Sequence, residues 1–358
     1  MHVRVVRPDL VRPEELDSYL ARGWFRIGQA MMTCRVVLFD GELRPSIWTR
    51  VPVDGGYRPG KNARKLLSRA ERRFRIEIGP MTLDDEREAL YQRYRANARG
   101  ERSPTLVDFL YGDADRNVFD TREISLWEGD RLVAFSWFDQ GAIAVQSLIG
   151  VYDPEHGGAS LGLTTMLLEA RHAADQGLSF HYPGYVLPGD PAMDYKLRLG
   201  GVEVFDPWQR RWRPLEQLAD VPLPTERLEL GLDRARAALS MLGVPSEIRK
   251  YPWFEAPAWQ PDLTACVGEP LVLECFPERA GATFLAVTHD LDRGLWVLQR
   301  CLRARAVTRG RADVDTPIEL WLVAERLSAH TSLDELAQEV RRRGSDRMGL
   351  RAVTGPKG

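Results

Sequence analysis

The sequence predicts an α+β protein whose central part combines an antiparallel meander, a glycine-rich turn, a long helix and a returning strand. Three observations carry that reading. Apolar residues alternate with period two from Glu123 to Val151, with Gly129-Asp130 and Gln140-Gly141 as turns, which fits three meander strands. After His156-Gly157-Gly158-Ala159-Ser160, the spacing of Leu163, Met166, Leu167, Ala170 and Ala174 predicts a helix closed by Gly177, and a strand over Leu178 to Tyr182 follows. Pro222 and Pro224 then make a stiff break ahead of a separate unit.

The elements follow in chain order. Residues 1–76 form an N-terminal region whose most distinctive stretch, Arg58 to Arg75, carries eight basic residues against the single acid Glu71. Read as a helix, it turns Ala63, Leu66, Leu67, Ala70 and Phe74 inward and sets Lys61, Lys65, Arg69 and Arg73 along one exposed stripe. Like charges at this spacing repel, so an anion would relieve them, and clustered Lys and Arg suit a polyphosphate such as RNA. Arg58 and Arg64 join the same candidate surface. From Thr82 to Ala98 an amphipathic helix is expected, with Thr82 as N-cap and Asp84, Asp85 and Glu86 in its first turn. Residues 77–220 make up the core with the meander. Residues 225–358 read as a small α/β domain: a helix over Thr225 to Leu242, an irregular connector over Tyr251 to Pro261, strands over Leu271 to Phe276, Thr283 to Val287 and Ile318 to Val323, and helices over Leu291 to Ala306 and Ser332 to Arg343.

Composition limits the function classes. The 358 residues include 49 Lys and Arg against 51 Asp and Glu, a net charge of -2, so any nucleic-acid affinity must be local rather than global. A hydrophobic fraction of 44% allows a core, no apolar run approaches a membrane span, and residues 1–30 lack a signal-peptide core, so a soluble cytoplasmic protein is expected. Cys34, Cys266, Cys275 and Cys301 form no CxxC pair, which argues for buried free thiols over a zinc site or disulfide framework.

The stretch Phe180 to Lys196 holds three Tyr, three Pro and two Asp. Pro183, Pro188 and Pro191 each remove an N–H, so the segment is expected to be a shaped loop rather than a strand. Meander, glycine-rich turn, helix and strand is also the element order of the GNAT acyltransferase core, in which N–H groups at the turn converge on one point. Within the loop, Tyr182, Gly184-Tyr185, Pro191, Met193 and Tyr195-Lys196 resemble the C-terminal signature of the arginyl-tRNA:protein transferases, shared by the bacterial leucyl transferases that modify acidic N-termini. Arg22-Gly23-Trp24-Phe25-Arg26-Ile27-Gly28 resembles an early element of that family, Arg50-Val51-Pro52-Val53 with Gly60 to Lys65 resembles a second, and Ser160-Leu161-Gly162 fits as well. The likeness covers about residues 15 to 215.

That resemblance implies an enzyme on a GNAT-like fold that moves an arginyl or leucyl group from tRNA to an α-amine, with aminoacyl-tRNA as co-substrate, a protein or peptide N-terminus as acceptor and no cofactor. It implies Asp190 or Asp194 as proton acceptor, Tyr185 or Tyr195 as proton donor to the leaving ribose oxygen, and N–H groups near Gly158 for the oxyanion. Lys196 would hold a carboxylate or terminal phosphate, with Tyr182, Ser160 and Gly162 shaping the substrate site. The basic helix, through Arg58, Lys61, Arg64, Lys65, Arg69 and Arg73, would grip tRNA. Two departures stand out. Cys34 alone replaces the cysteine-rich element linked in some relatives to an iron-sulfur cluster, so no metal is expected. Leu197-Arg198-Leu199-Gly200-Gly201 replaces a short Arg-Pro element. An acyl-CoA-dependent N-acyltransferase and a non-catalytic RNA- or partner-binding module are the alternatives; the first is weakened because the turn lacks the Gln or Arg that begins a CoA pyrophosphate loop.

Overall fold

The computed structural model describes residues 2–98, 102–191, 193–279, 281–309 and 315–349. The chain divides into two compact units. One comprises Val5–Arg35 and Arg44–Val221; the other comprises Met1–Arg4, Val36–Leu43 and Pro222–Gly358.

The larger unit opens with helix α1 (Pro13–Ala21) and the hairpin β1 (Phe25–Ile27) and β2 (Ala30–Cys34). Its sheet has eight strands: β3 (Ile47–Pro52), β4 (Arg75–Pro80), β5 (Thr121–Glu128), β6 (Arg131–Gln140), β7 (Ala144–Tyr152), β8 (Phe180–Val186), β9 (Glu203–Asp206) and β10 (Arg211–Pro214). They lie in the order β10-β9-β3-β8-β7-β6-β5-β4. The meander predicted from period-two alternation is β5 to β7, antiparallel throughout. β7 and β8 pair in parallel, as a helical crossover requires. The helix between them is α4 (Leu161–Asp175), and it packs with the basic helix α2 (Lys61–Arg73) over a core that includes Ile124, Leu126, Val133 and Phe138. Helix α3 (Asp85–Asn97) packs Leu90 and Tyr91 into a second cluster with Leu132, Phe135, Trp137 and Val151. Because β6 sends Val133, Ala134 and Phe138 to the first cluster and Leu132, Phe135 and Trp137 to the second, the meander is covered on both faces.

Two local expectations need correction here. The N-cap of α3 is Asp84, whose carboxylate accepts the Arg87 N–H at 2.9 Å, and not Thr82. A carboxylate at the helix N-terminus also meets the positive end of the dipole, which a hydroxyl does not. Phe180–Val186 is a strand, so the shaped loop begins only at Leu187. Pro183 fits because the register against β3 shifts between His181 and Gly184, a bulge at which a missing N–H costs no ladder bond.

The second unit carries an antiparallel sheet of β11 (Ser246–Lys250), β12 (Leu271–Cys275), β13 (Thr283–Asp290), β14 (Leu295–Arg309) and β15 (Asp315–His330) in sequential order. Helix α5 (Pro224–Met241) packs on β11 to β13, and α6 (Leu333–Gly349) packs on β14 and β15 and against α5. This is an antiparallel α+β arrangement rather than the expected α/β one. The predicted helix over Leu291 to Ala306 is replaced by β14, which pairs with β15 from Trp296↔His330 to Arg309↔Asp315. Leu295 to Ala306 satisfies both periods in part, and the long partner strand decides between them. Cys34, Cys266, Cys275 and Cys301 are buried free thiols.

Candidate functional site

The site is built where β7 and β8 part. Their pairing runs from Ala144↔Phe180 to Gln146↔Tyr182, after which β7 shifts register between Ser147 and Ile149 and β8 between His181 and Gly184. Ser147 to Gly150 are correspondingly half-exposed although they lie inside the sheet. Two bulges facing each other open a wedge at the end of the only parallel pairing among the described strands of this sheet.

The segment after β8 folds back over this wedge. Asp190 starts a tight turn, its carbonyl accepting N–H groups of Met193 and Asp194, and a 3-10 helix runs from Asp194 to Leu199. That turn delivers Lys196 to the bulge: its Nζ donates to the Tyr185 carbonyl at 2.8 Å, and a Cβ placed on Gly184, whose φ is +97°, would stand 3.3 Å from it. Burial, with Arg102 adding repulsion, lowers the Lys196 ammonium to about 8. By surface area the residue as a whole is half-buried. Tyr195 packs on the α2–α4 core, and burial raises its phenol to about 12, so it keeps its proton throughout the ordinary pH range. Tyr94, Tyr152, Glu169 and Arg102 all lie within electrostatic reach of that phenol, and the rings of Tyr94 and Tyr152 meet edge to face at 5.2 Å.

The other residues singled out from sequence divide between this wedge and its surroundings. Ser160 begins α4 in the left-handed region without a side-chain cap, just after the turn Pro154–Ala159 that contains Gly158. Gly162 sits in the first turn of α4, where a Cβ would come within 3.4 Å of the Tyr152 ring. Asp190 and Asp194 are half-buried on the loop. Tyr182 is not at the wedge. It is buried on the opposite face of β8, edge-on to Phe25 and Trp212, with its hydroxyl bonded to Arg50. The Tyr185 ring joins this aromatic layer against Trp48, which stacks on Phe25 at 3.8 Å.

Arg26, in the early motif, is also internal. Its guanidinium bonds Asp139 at 2.6 Å, Thr121 at 2.8 Å and Asn117 at 3.0 Å, and lies 4.2 Å over the Phe119 ring.

Helix α2 presents its basic stripe outward, as its spacing predicts. Ala63, Leu67 and Ala70 are buried, and Lys61, Arg64, Lys65, Ser68, Arg69 and Arg72 line a shallow depression of about 420 Å³. Lys61, Lys65, Arg69 and Arg58 have no acid within ion-pair distance among the described residues. Arg73 is a correction: it pairs with Glu128 at 2.8 Å and is not part of the free stripe. The stripe begins next to the loop, for the Tyr57 hydroxyl donates to the Leu199 carbonyl at 2.6 Å, three residues before α2's N-cap Gly60.

Four groups at the wedge were missed from sequence: Arg102, Ser147, Glu169 and His181. Glu169 had a signal, since it lies on the inward stripe of α4 between Met166 and Ala170, where an acid must find a partner. Arg102, by contrast, follows a helix whose sequence points nowhere in particular.

Comparison with known proteins agrees with the motif reading. A family profile described as "Arginine-tRNA-protein transferase, C terminus" matches residues 86–206. An aspartate/glutamate leucyltransferase from Leptospira interrogans is 28% identical over 179 residues, 46% of this chain and 65% of the relative. One from Vibrio cholerae is 26% identical over 223 residues, 58% of this chain and 86% of the relative. This chain thus spans about two thirds of the Leptospira proteins' length. Among solved structures, a C-terminal domain attributed to a lysylphosphatidylglycerol synthetase of Agrobacterium fabrum is similar with a TM-score of 0.32 at 14% identity, covering 40% of this chain and 47% of that one. The part of this chain that builds the wedge and its loop therefore carries the sequence pattern of the arginine-tRNA-protein transferase C-terminal region.

Proposed function

We propose that this chain is an aminoacyl-tRNA-dependent transferase that moves a leucyl or arginyl group from tRNA to the α-amine of a protein or peptide N-terminus. The observation that carries the reading is the junction of signature loop and basic stripe: Lys196 and Tyr195 close over the β7–β8 wedge, and the loop's end is bonded to the segment leading into α2. A charged tRNA held by Lys61, Lys65 and Arg69 through its phosphates has its aminoacyl end within the same unit as the loop. The matched family and the leucyltransferase relatives support the same donor and acceptor classes. Such chemistry belongs where charged tRNA is found, in the cytoplasm. The parallel β7–β8 pair joined through α4 and opened by bulges supports a GNAT-like core.

The reaction exchanges an ester for an amide and needs no nucleotide hydrolysis. Catalysis reduces to bringing the amine to the carbonyl, removing its proton and stabilising the oxyanion. Asp190 and Asp194 meet the arriving ammonium at the mouth of the loop. N–H groups at the start of α4, from Gly158 to Gly162, face the developing oxyanion, and the positive end of the helix favours it. Tyr195, protonated at every working pH, donates to the ribose oxygen as it leaves. Lys196 fixes the bulge through the Tyr185 carbonyl and turns its remaining N–H donors to an anionic group of the acceptor or of the tRNA end.

Incubating the protein with labelled leucyl- and arginyl-tRNA and peptides beginning with Asp, Glu or a neutral residue tests the reading. Label should move to peptide; acetyl-CoA should neither support transfer nor raise Tm. Absence of label in every peptide would refute it.

A further inference from the structure

We infer that Ser147 and Glu169, held by His181, form the proton exit for the acceptor amine. This rests on the proposed transferase reading and takes over the role that the sequence offered to Asp190 or Asp194.

The three side chains meet at the apex of the wedge, one from each surrounding element. Ser147 lies on the β7 bulge and is half-exposed; Glu169 on α4 is 1% exposed and His181 on β8 is fully buried. The Ser147 hydroxyl donates to Glu169 Oε2. His181 Nε2 stands 3.0 Å from Ser147 Oγ and 3.1 Å from Glu169 Oε2. This is not the chain of a nucleophilic triad, in which a histidine uses one ring nitrogen for the serine and the other for the acid. Here a single nitrogen faces both partners, Nδ1 has none among the described residues, and the serine proton already points to the carboxylate. The arrangement therefore fits proton acceptance rather than acyl transfer to Ser147.

A buried carboxylate is retained at a cost of several kcal/mol unless it is paired. Its immediate partners are a hydroxyl and an imidazole; the other titratable groups in reach are Tyr195 from the loop and His172 on its own helix. Of its two hydrogen-bond partners among the described residues, Ser147 is the one that is partly exposed. The step balances simply. The acceptor's ammonium gives a proton to Ser147 Oγ as the Ser147 proton passes to Glu169, so a neutral amine, an intact serine and a protonated Glu169 result. Ser147 is then the group that touches substrate, Glu169 the proton acceptor and His181 a positioning residue whose Nε2–H aligns the carboxylate.

The test is single-turnover transfer from charged tRNA to an N-terminal Asp peptide, from pH 6 to 9.5, with parent, Glu169→Gln and Ser147→Ala. Each variant should transfer about 10² to 10⁴ times more slowly near pH 6.5. The deficit should shrink toward pH 9, because above a pKa of about 7.7 to 8.0 the amine arrives already deprotonated. Ser147→Ala removes one of the two partners of the carboxylate and should lower Tm modestly while leaving the protein folded at 25 °C, so the loss is read in a folded protein. A deficit equal at every pH, or parental rates in both variants, overturns the inference while leaving the transferase reading intact. A parent that transfers to no peptide overturns both.

Discussion

Lys196 shows how one side chain records its surroundings. An ammonium that titrates at about 8 instead of 10.5 is charged at a cost inside the folded protein. Between those two values the unfolded chain binds more protons than the folded one, so the unfolding free energy rises with pH across that window and is level beyond it. The parent should therefore gain stability against Lys196→Met from pH 8 to about 10.5, read as a changing Tm difference in thermal melts; a constant difference would refute burial of the charge. Arg26 makes the opposite case. It is bonded to Asp139 at 2.6 Å and fully enclosed, so Arg26→Ala strands a buried carboxylate and should cost about 3 to 5 kcal/mol in urea unfolding. A loss under 1 kcal/mol would mean that water replaces the guanidinium. The motif containing Arg26 was legible in the sequence, but its use was not: position in a motif does not tell a ligand contact from a buried anchor. Tyr182 repeats the lesson, since only the strand's alternation, which sends His181 to the wedge and Tyr182 to the Phe25 and Trp212 side, separates the two.

Helix α2 was readable from sequence because two periodicities coincide in it, apolar residues inward and cations outward, with nothing else competing for the segment. What the sequence missed is Glu128, which lies 55 residues from Arg73 and removes that cation from the stripe. The prediction is accordingly selective. Lys65→Glu with Arg69→Glu should weaken tRNA binding and flatten its dependence on salt, since each lost phosphate contact lowers the slope by about 1. Arg73→Glu should change binding less, because its charge is already compensated. Equal effects from the two changes, measured by filter binding between 50 and 200 mM salt, would count against the stripe as the contact surface. β14 and β8 mark where element-scale reading ends. In both, a partner strand overrides local cues, the helical spacing of Leu291 to Ala306 in one and the prolines in the other. The β7–β8 wedge could not be foreseen, for it arises from two bulges whose register is set by different neighbours.

At the scale of the molecule, the chain passes between its two units at residues 4–5, 35–36, 43–44 and 221–222, and each unit buries apolar residues of its own, Val133 and Phe138 in one, Leu232 and Leu273 in the other. The last of these crossings is where the Pro222 and Pro224 break was read; the earlier three carry no comparable signal, since Val36–Leu43 reads as an ordinary short hairpin around Asp40-Gly41, and its link to residues far along the chain, such as Glu42 to Lys250 at 2.6 Å, is not written in its own sequence. Separate cores predict separate unfolding, because apolar burial in one sheet adds nothing to the free energy of the other. Leu273 is wholly buried in β12, and Leu273→Ala should cost about 2 to 5 kcal/mol through lost transfer energy and the cavity left behind. That cost should fall on one transition only. In urea unfolding followed by backbone hydrogen exchange, amides of β11 to β15 should lose protection together, those of β3 to β8 should keep the parental value, and peptide transfer at 25 °C should persist. If protection falls equally in both sheets, the two units fold as one, and the wedge depends on the C-terminal sheet for its stability as well as on its own bulged strands.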